Sequence, residues 1–74
     1  MSGNNTQPII DPLSDELLAD SEVCELLDIT RVTLWRYRHE GKRGVRMPYL
    51  PLGKRNVTTR AAVQWFYEQV QRQS

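Results

Sequence analysis

The sequence predicts a small, mainly α domain with one short β-hairpin, in the order helix, turn, helix, hairpin, helix. Three observations carry that prediction. Apolar residues recur at helical spacing in two stretches, one before and one after a central non-helical segment. Within that segment Pro48 and Pro51 forbid a helix and leave room for a short pair of strands. With 74 residues the chain makes one domain, near the lower limit at which a hydrophobic core sustains itself.

From the N-terminus, residues 1–16 read as a flexible arm. They are polar, contain Pro8 and Pro12, show no sustained period, and offer only Ile9, Ile10 and Leu13 as apolar anchors. The folded part, residues 17–74, begins at Leu17, with Leu18 placed to staple the first helix. Two starts fit that helix: Asp20 is the better capping residue, whereas Glu22 suits the third position of a helix capped at Ala19. Val23, Leu26 and Leu27 then share one face, with Glu22, Glu25 and Asp28 between them.

Ile29 is the one apolar residue of the turn and is placed to fill the gap between two helices. Thr30 is the expected N-cap of the second, which runs from Arg31 to about Glu40. At about 100° per residue, Leu34 and Tyr37 fall on one side and Val32, Arg36 and His39 on the other. Arg31 and Trp35 lie on one flank and Thr33 on the opposite flank, while Arg38, near the Leu34 side, reads as a helix-end or interhelix residue. Gly41 is placed to end the helix.

Lys42 to Met47 reads as a basic loop with Gly44 as a flexible point. Tyr49, Leu50 and Leu52 suit an extended strand, Gly53 and Lys54 a turn, and Arg55 to Thr58 a returning strand with Val57 facing inward. Proline at 51 requires that the first strand lie at an edge. Thr58 or Thr59 then caps a last helix through about Gln71. Its stripe is Val63, Phe66, Tyr67 and Val70, with Trp65 off centre and partly covered.

Charge divides the chain. Residues 1–30 carry seven acidic side chains and no Lys or Arg, whereas residues 31–60 carry nine Lys or Arg and one Glu, so the overall net of +1 conceals a dipolar molecule. A surface that merely solvates its charges mixes the signs. A block of net +8 over thirty residues instead suits polyanionic phosphate, and with two helices joined by a tight turn it makes a helix-turn-helix that binds nucleic acid the leading expectation.

Other classes are excluded or disfavoured. The one cysteine, Cys24, cannot form an internal disulfide, reads as a half-buried core thiol, and with the one histidine, His39, cannot assemble a zinc site. No nucleophile–base pair or phosphate-cradling glycine loop is present, so catalysis, a cofactor and a metal are not expected. No apolar run reaches membrane-spanning length, and MSGNNTQP lacks the blocks of a signal peptide, which makes the cytoplasm the expected address.

At this point the sequence resembles a known group. The run from about Leu17 to Phe66 is similar to the excisionase-like winged helix-turn-helix proteins, including small phage excisionases and prophage regulators of the AlpA type, relatives of the DNA-binding domain of the MerR regulators. The resemblance is carried by Glu22 and Val23, Leu26, Ile29 and Thr30, Thr33 and Leu34 with Arg36 and Tyr37, and Glu40 and Gly41. Leu52 and Gly53, Lys54 and Arg55, Val57 and Val63 complete it. The GKRGVRMPY segment is longer than the usual connection, and the last helix runs past the usual end. The resemblance implies double-stranded DNA as partner. It also implies either an excisionase-type factor that bends attachment-site DNA and steers an integrase of a phage or mobile element, or a prophage transcription regulator.

The expected contacts follow from a helix about 15 Å long whose N-terminal half enters a major groove. Arg36 is expected to contact guanine, Val32 and Thr33 a thymine methyl or neighbouring edge, and Arg31 phosphate or base. Trp35 either stacks on the sugar-phosphate or packs on the domain, and His39 reaches a phosphate. Lys54 and Arg55 at the hairpin tip are expected to hold the backbone or enter the minor groove, and Lys42, Arg43 and Arg46 to extend the positive strip. A monomer in solution that associates along DNA is the expected state. The alternative of another class is a protein-interaction module using the acidic first half with Trp35, Trp65 and Tyr67.

Overall fold

The computed structural model describes residues 7–14 and 16–73. The elements are β1 (Leu18–Ala19), α1 (Asp20–Leu27), α2 (Arg31–His39), β2 (Leu50–Leu52), β3 (Arg55–Thr58) and α3 (Arg60–Arg72). The three helices and the hairpin stand where the sequence predicts them. The sheet, however, has three strands in the order β1-β3-β2, all antiparallel, so the domain is mixed α/β rather than helices with a lone hairpin. Leu18, expected to staple α1, instead pairs with Thr58, and Ala19 pairs with Val57. A two-residue strand carries no periodicity of its own; its existence depends on β3 offering a free edge. Pro51 lies in the edge strand β2 opposite Asn56, where its missing N–H leaves no gap in the ladder's interior.

Of the two possible starts of α1, the later-capped one is not taken: Ala19 is the cap residue, and Glu22 Oε1 accepts the Ala19 N–H at 2.9 Å. The Asp20 carboxylate is thereby left for another partner. Asp28 ends α1 in the left-handed region, at φ 55°, and sends its N–H to the Cys24 carbonyl. Thr30 caps α2 as expected, its hydroxyl accepting the Thr33 N–H at 3.2 Å. At the other end the N–H groups of Glu40 and Gly41 both reach the Arg36 carbonyl at 2.8 Å, with Gly41 at φ 81°. Thr59, not Thr58, caps α3 by accepting the Ala62 N–H at 3.1 Å. The Thr58 hydroxyl is buried and donates to the Pro48 carbonyl at 2.9 Å.

The basic loop after α2 is closed by a tight turn. Lys42 and Val45 pair as an antiparallel bridge, and the corner between them is Arg43 at φ 54° followed by Gly44 at φ 81°. Two successive positive φ values are the signature of a tight mirror-image turn. The turn returns the chain towards α2, where the Met47 N–H donates to the Tyr37 carbonyl at 3.0 Å and the Met47 side chain is buried.

The core consists of Val23 from α1, Leu34 from α2, Met47, and Val63, Phe66 and Val70 from α3, with Leu27, Ile29 and Tyr37 packed against it. Tyr37 meets Phe66 at 5.0 Å between ring centroids. Leu26, grouped by spacing with Val23 and Leu27, is 45% exposed and does not share their burial. Cys24 is half-buried against the core, as its position implied, and Trp65 is partly covered. Of the expected arm, residues 1–6 and 15 lie outside the described residues. In the described part Ile9 and Leu13 are almost fully exposed. Among the described residues no helix is long and apolar enough to cross a membrane.

Candidate nucleic-acid interface

The surface of α2 is sorted by its packing. Because Leu34 and Arg38 are buried and Tyr37 is half-buried against Phe66, the opposite ridge is forced outward. On it stand Val32, 62% exposed, and Arg36. Thr33 is half-buried and its hydroxyl lies 3.1 Å from the Thr30 hydroxyl, so it is turned towards the cap instead of the ridge.

A second face is formed by Arg31, Trp35 and His39, which recur every four residues and so align along one flank of α2. That flank looks onto the sheet. Arg31 shares a cleft with Lys54, Arg55 and Asn56. The next cleft along is lined by Arg31, Trp35, His39 and again Asn56. A third brings His39 together with Arg46 and Tyr49. The fold therefore gathers charges that are up to twenty-four positions apart in sequence, from Arg31 to Arg55, on one side of the molecule.

Aromatic rings hold this flank. Trp35 and His39 lie 4.6 Å apart with planes inclined by 32°, and His39 meets Tyr49 at 6.1 Å. Trp35 remains 53% exposed, so it is not a core tryptophan. Arg38, on the buried side, lies 5.1 Å from the centre of the Tyr49 ring and forms an ion pair with Asp20 of α1 at 2.8 Å. Its side chain is 3% exposed and does not belong to the outer surface.

The expected strip of Lys42, Arg43 and Arg46 is divided. Arg46 joins the His39 end of the flank, but Lys42 Nζ sits 6.0 Å from the centre of the Tyr37 ring, on the opposite side of α2. Arg43 occupies the exposed corner of the 42–45 turn. The left-handed corner at Arg43 and Gly44 sets Lys42 against Val45, so the basic segment is not a straight run.

Two residues of the flank have no counterpart among those singled out from sequence as sites: Asn56 and Tyr49. Asn56 lines two clefts against α2, and on β3 it lies on the face opposite Val57, since side chains alternate across a strand. Neither residue type carries a signal at its position, and only the pairing of the sheet brings them to α2. Among the described residues no group of three or more His, Cys, Asp or Glu is arranged to hold a metal ion. In comparisons with protein families, with curated proteins and with solved structures, nothing matches this chain.

Proposed function

We propose that the chain is a sequence-specific double-stranded DNA-binding protein of the winged helix-turn-helix type. In this reading α1 and α2 form the helix-turn-helix, the ridge of Val32 and Arg36 reads base edges in a major groove, and the β2–β3 hairpin is the wing whose Lys54 and Arg55 lie along the backbone. The observation that carries it is the shared cleft of Arg31, Lys54 and Arg55, beside a ridge of α2 that the core leaves uncovered. On α2 Val32 is 62% and Trp35 53% exposed, and Arg36 stands exposed beside Val32. A nucleic-acid duplex offers thymine methyls, sugar faces and guanine edges to such a set.

Within that class the proposed role is that of an excisionase-type architectural factor, which bends attachment-site DNA and directs an integrase towards excision. It rests on the resemblance of residues 17–66 and on the small size of the domain, which gains affinity by occupying neighbouring sites.

The test is a titration of the full chain against labelled duplexes over a range of salt. Specific binding is expected, with an affinity that falls with salt at a logarithmic slope of about −4 to −5, as about five phosphate contacts require. No association at low ionic strength would overturn the reading. Footprinting on an attachment region separates the roles: protection spread over tandem repeats supports the excisionase role, and a single protected promoter site replaces it with transcription regulation.

A further inference from the structure

The cleft between α2 and the hairpin turn contains a carboxylate as well as cations. It is lined by Arg31, Lys54, Arg55 and Asn56 together with Asp20 and Ser21 at the start of α1. An uncompensated carboxylate there repels any anion that the three cations attract, and at a few ångströms, partly shielded from water, that repulsion is not negligible. Asp20 is not uncompensated. Glu22, rather than Asp20, closes the start of α1, and the Asp20 carboxylate is held by Arg38 at 2.8 Å.

Arg38 makes this contact from beneath. Its side chain is 3% exposed while that of Asp20 is 31% exposed, so the guanidinium meets the carboxylate from its buried side, and Arg38 is not among the residues that line this cleft. Its Nε and one terminal nitrogen have no hydrogen-bond partner among the described residues, which leaves Asp20 as the counter-charge it is seen to hold. Asn56, half-buried at the wall of the same cleft, adds amide hydrogens as neutral donors.

We propose that this cleft seats one backbone phosphodiester of the bound duplex, and that Arg38 is a positioning residue for it, neutralising Asp20 so that Arg31, Lys54, Arg55, Asn56 and the Ser21 hydroxyl face the phosphate unopposed. The inference rests on the duplex reading above and deepens it. It assigns Arg31 to backbone instead of base, and it adds Asn56, Ser21 and the buried pair to the site.

The experiment is a double-mutant cycle on the full chain, read as affinity for two duplexes of different sequence with thermal unfolding alongside. Arg38→Met exposes the charge of Asp20 and is expected to weaken binding about tenfold on both duplexes. Asp20→Asn alone is expected to bind as tightly as the unaltered chain or more tightly. The pair Asp20→Asn with Arg38→Met is expected to return to within about threefold of it, a recovery that a merely structural role for Arg38 does not produce. Should Arg38→Met fail to fold, Asn56→Asp places a carboxylate in the seat from an independent position and is expected to cost about tenfold on both duplexes. Binding by the unaltered chain with no recovery in the double variant, or with Asn56→Asp neutral, overturns the seat alone. No binding by the unaltered chain overturns the duplex reading and the seat with it.

Discussion

Gly41 stands so close to Val45 that a Cβ on it would lie 2.6 Å from the Val45 carbonyl oxygen. That contact joins the end of α2 to the 42–45 turn and decides where the chain goes next. Gly41→Ala meets both the clash and the left-handed φ of 81°, and is expected to destabilise the domain by about 2–4 kcal/mol. Gly44 and Gly53 have nothing within 4 Å of such an atom, so alanine there carries only the backbone strain, about 1–2 kcal/mol. Urea unfolding of the three variants measures the difference, and equal losses would show that the close approach to Val45 is not what matters.

Phe66 is fully buried and touches both Tyr37 and Tyr67, at 5.0 and 5.3 Å between centroids. Phe66→Ala is expected to cost about 3–5 kcal/mol, comparable with the whole stability of a domain this size. Leu26→Ala, on the half of α1 that faces solvent, is expected to cost under about 1 kcal/mol. Circular dichroism during heating separates the two outcomes.

The outer ridge and the hairpin tip are expected to differ in kind. Arg36→Ala should cost about 1–3 kcal/mol on the preferred DNA site and relax base preference. Lys54→Ala should weaken binding to all sequences similarly and make the salt dependence shallower by about one unit of slope. Competition with unrelated duplexes reads both; the same loss on every DNA from both variants would abolish the division.

Tyr67 ionises less readily than an ordinary tyrosine. Burial raises its pKa above the ordinary tyrosine range, and the neighbouring Tyr37, through the charge of its phenolate and through hydrogen bonding, raises it further. Because the folded value lies above the unfolded one of about 10, the associated stability is complete below that pH and is lost as pH rises through the folded value. A phenolate absorbance titration should therefore show a late step that disappears in Tyr67→Phe.

How far the sequence reaches can be judged from particular residues. The helical stripes of Val23 and Leu27, of Leu34 and Tyr37, and of Val63, Phe66 and Val70 are periodic, and the core is built from them. Thr30 caps α2 because a hydroxyl three residues before a free amide acts locally, whereas the choice of Thr59 over Thr58 for α3 waited on the burial of the Thr58 hydroxyl against Pro48. Pro51 confines β2 to an edge for the same kind of reason, a missing donor that no fold restores. Leu26 shows where periodicity stops: a helix presents a face, but only its neighbours decide how wide a part of that face is covered.

What the sequence by itself determined is what is set within a few residues: helix positions, the Thr30 cap, the hairpin turn, the outward ridge of Val32 and Arg36, and the concentration of positive charge in the middle of the chain. What only the tertiary structure decided is which distant groups meet. Leu18 became a strand because β3 had an edge to pair. Lys42 stands apart from the row of cations, over the Tyr37 ring. Asp20, free of capping, found Arg38 eighteen positions away. Such contacts depend on how separate elements pack, and packing is a property of surfaces brought together across the chain, which no local pattern of residues encodes.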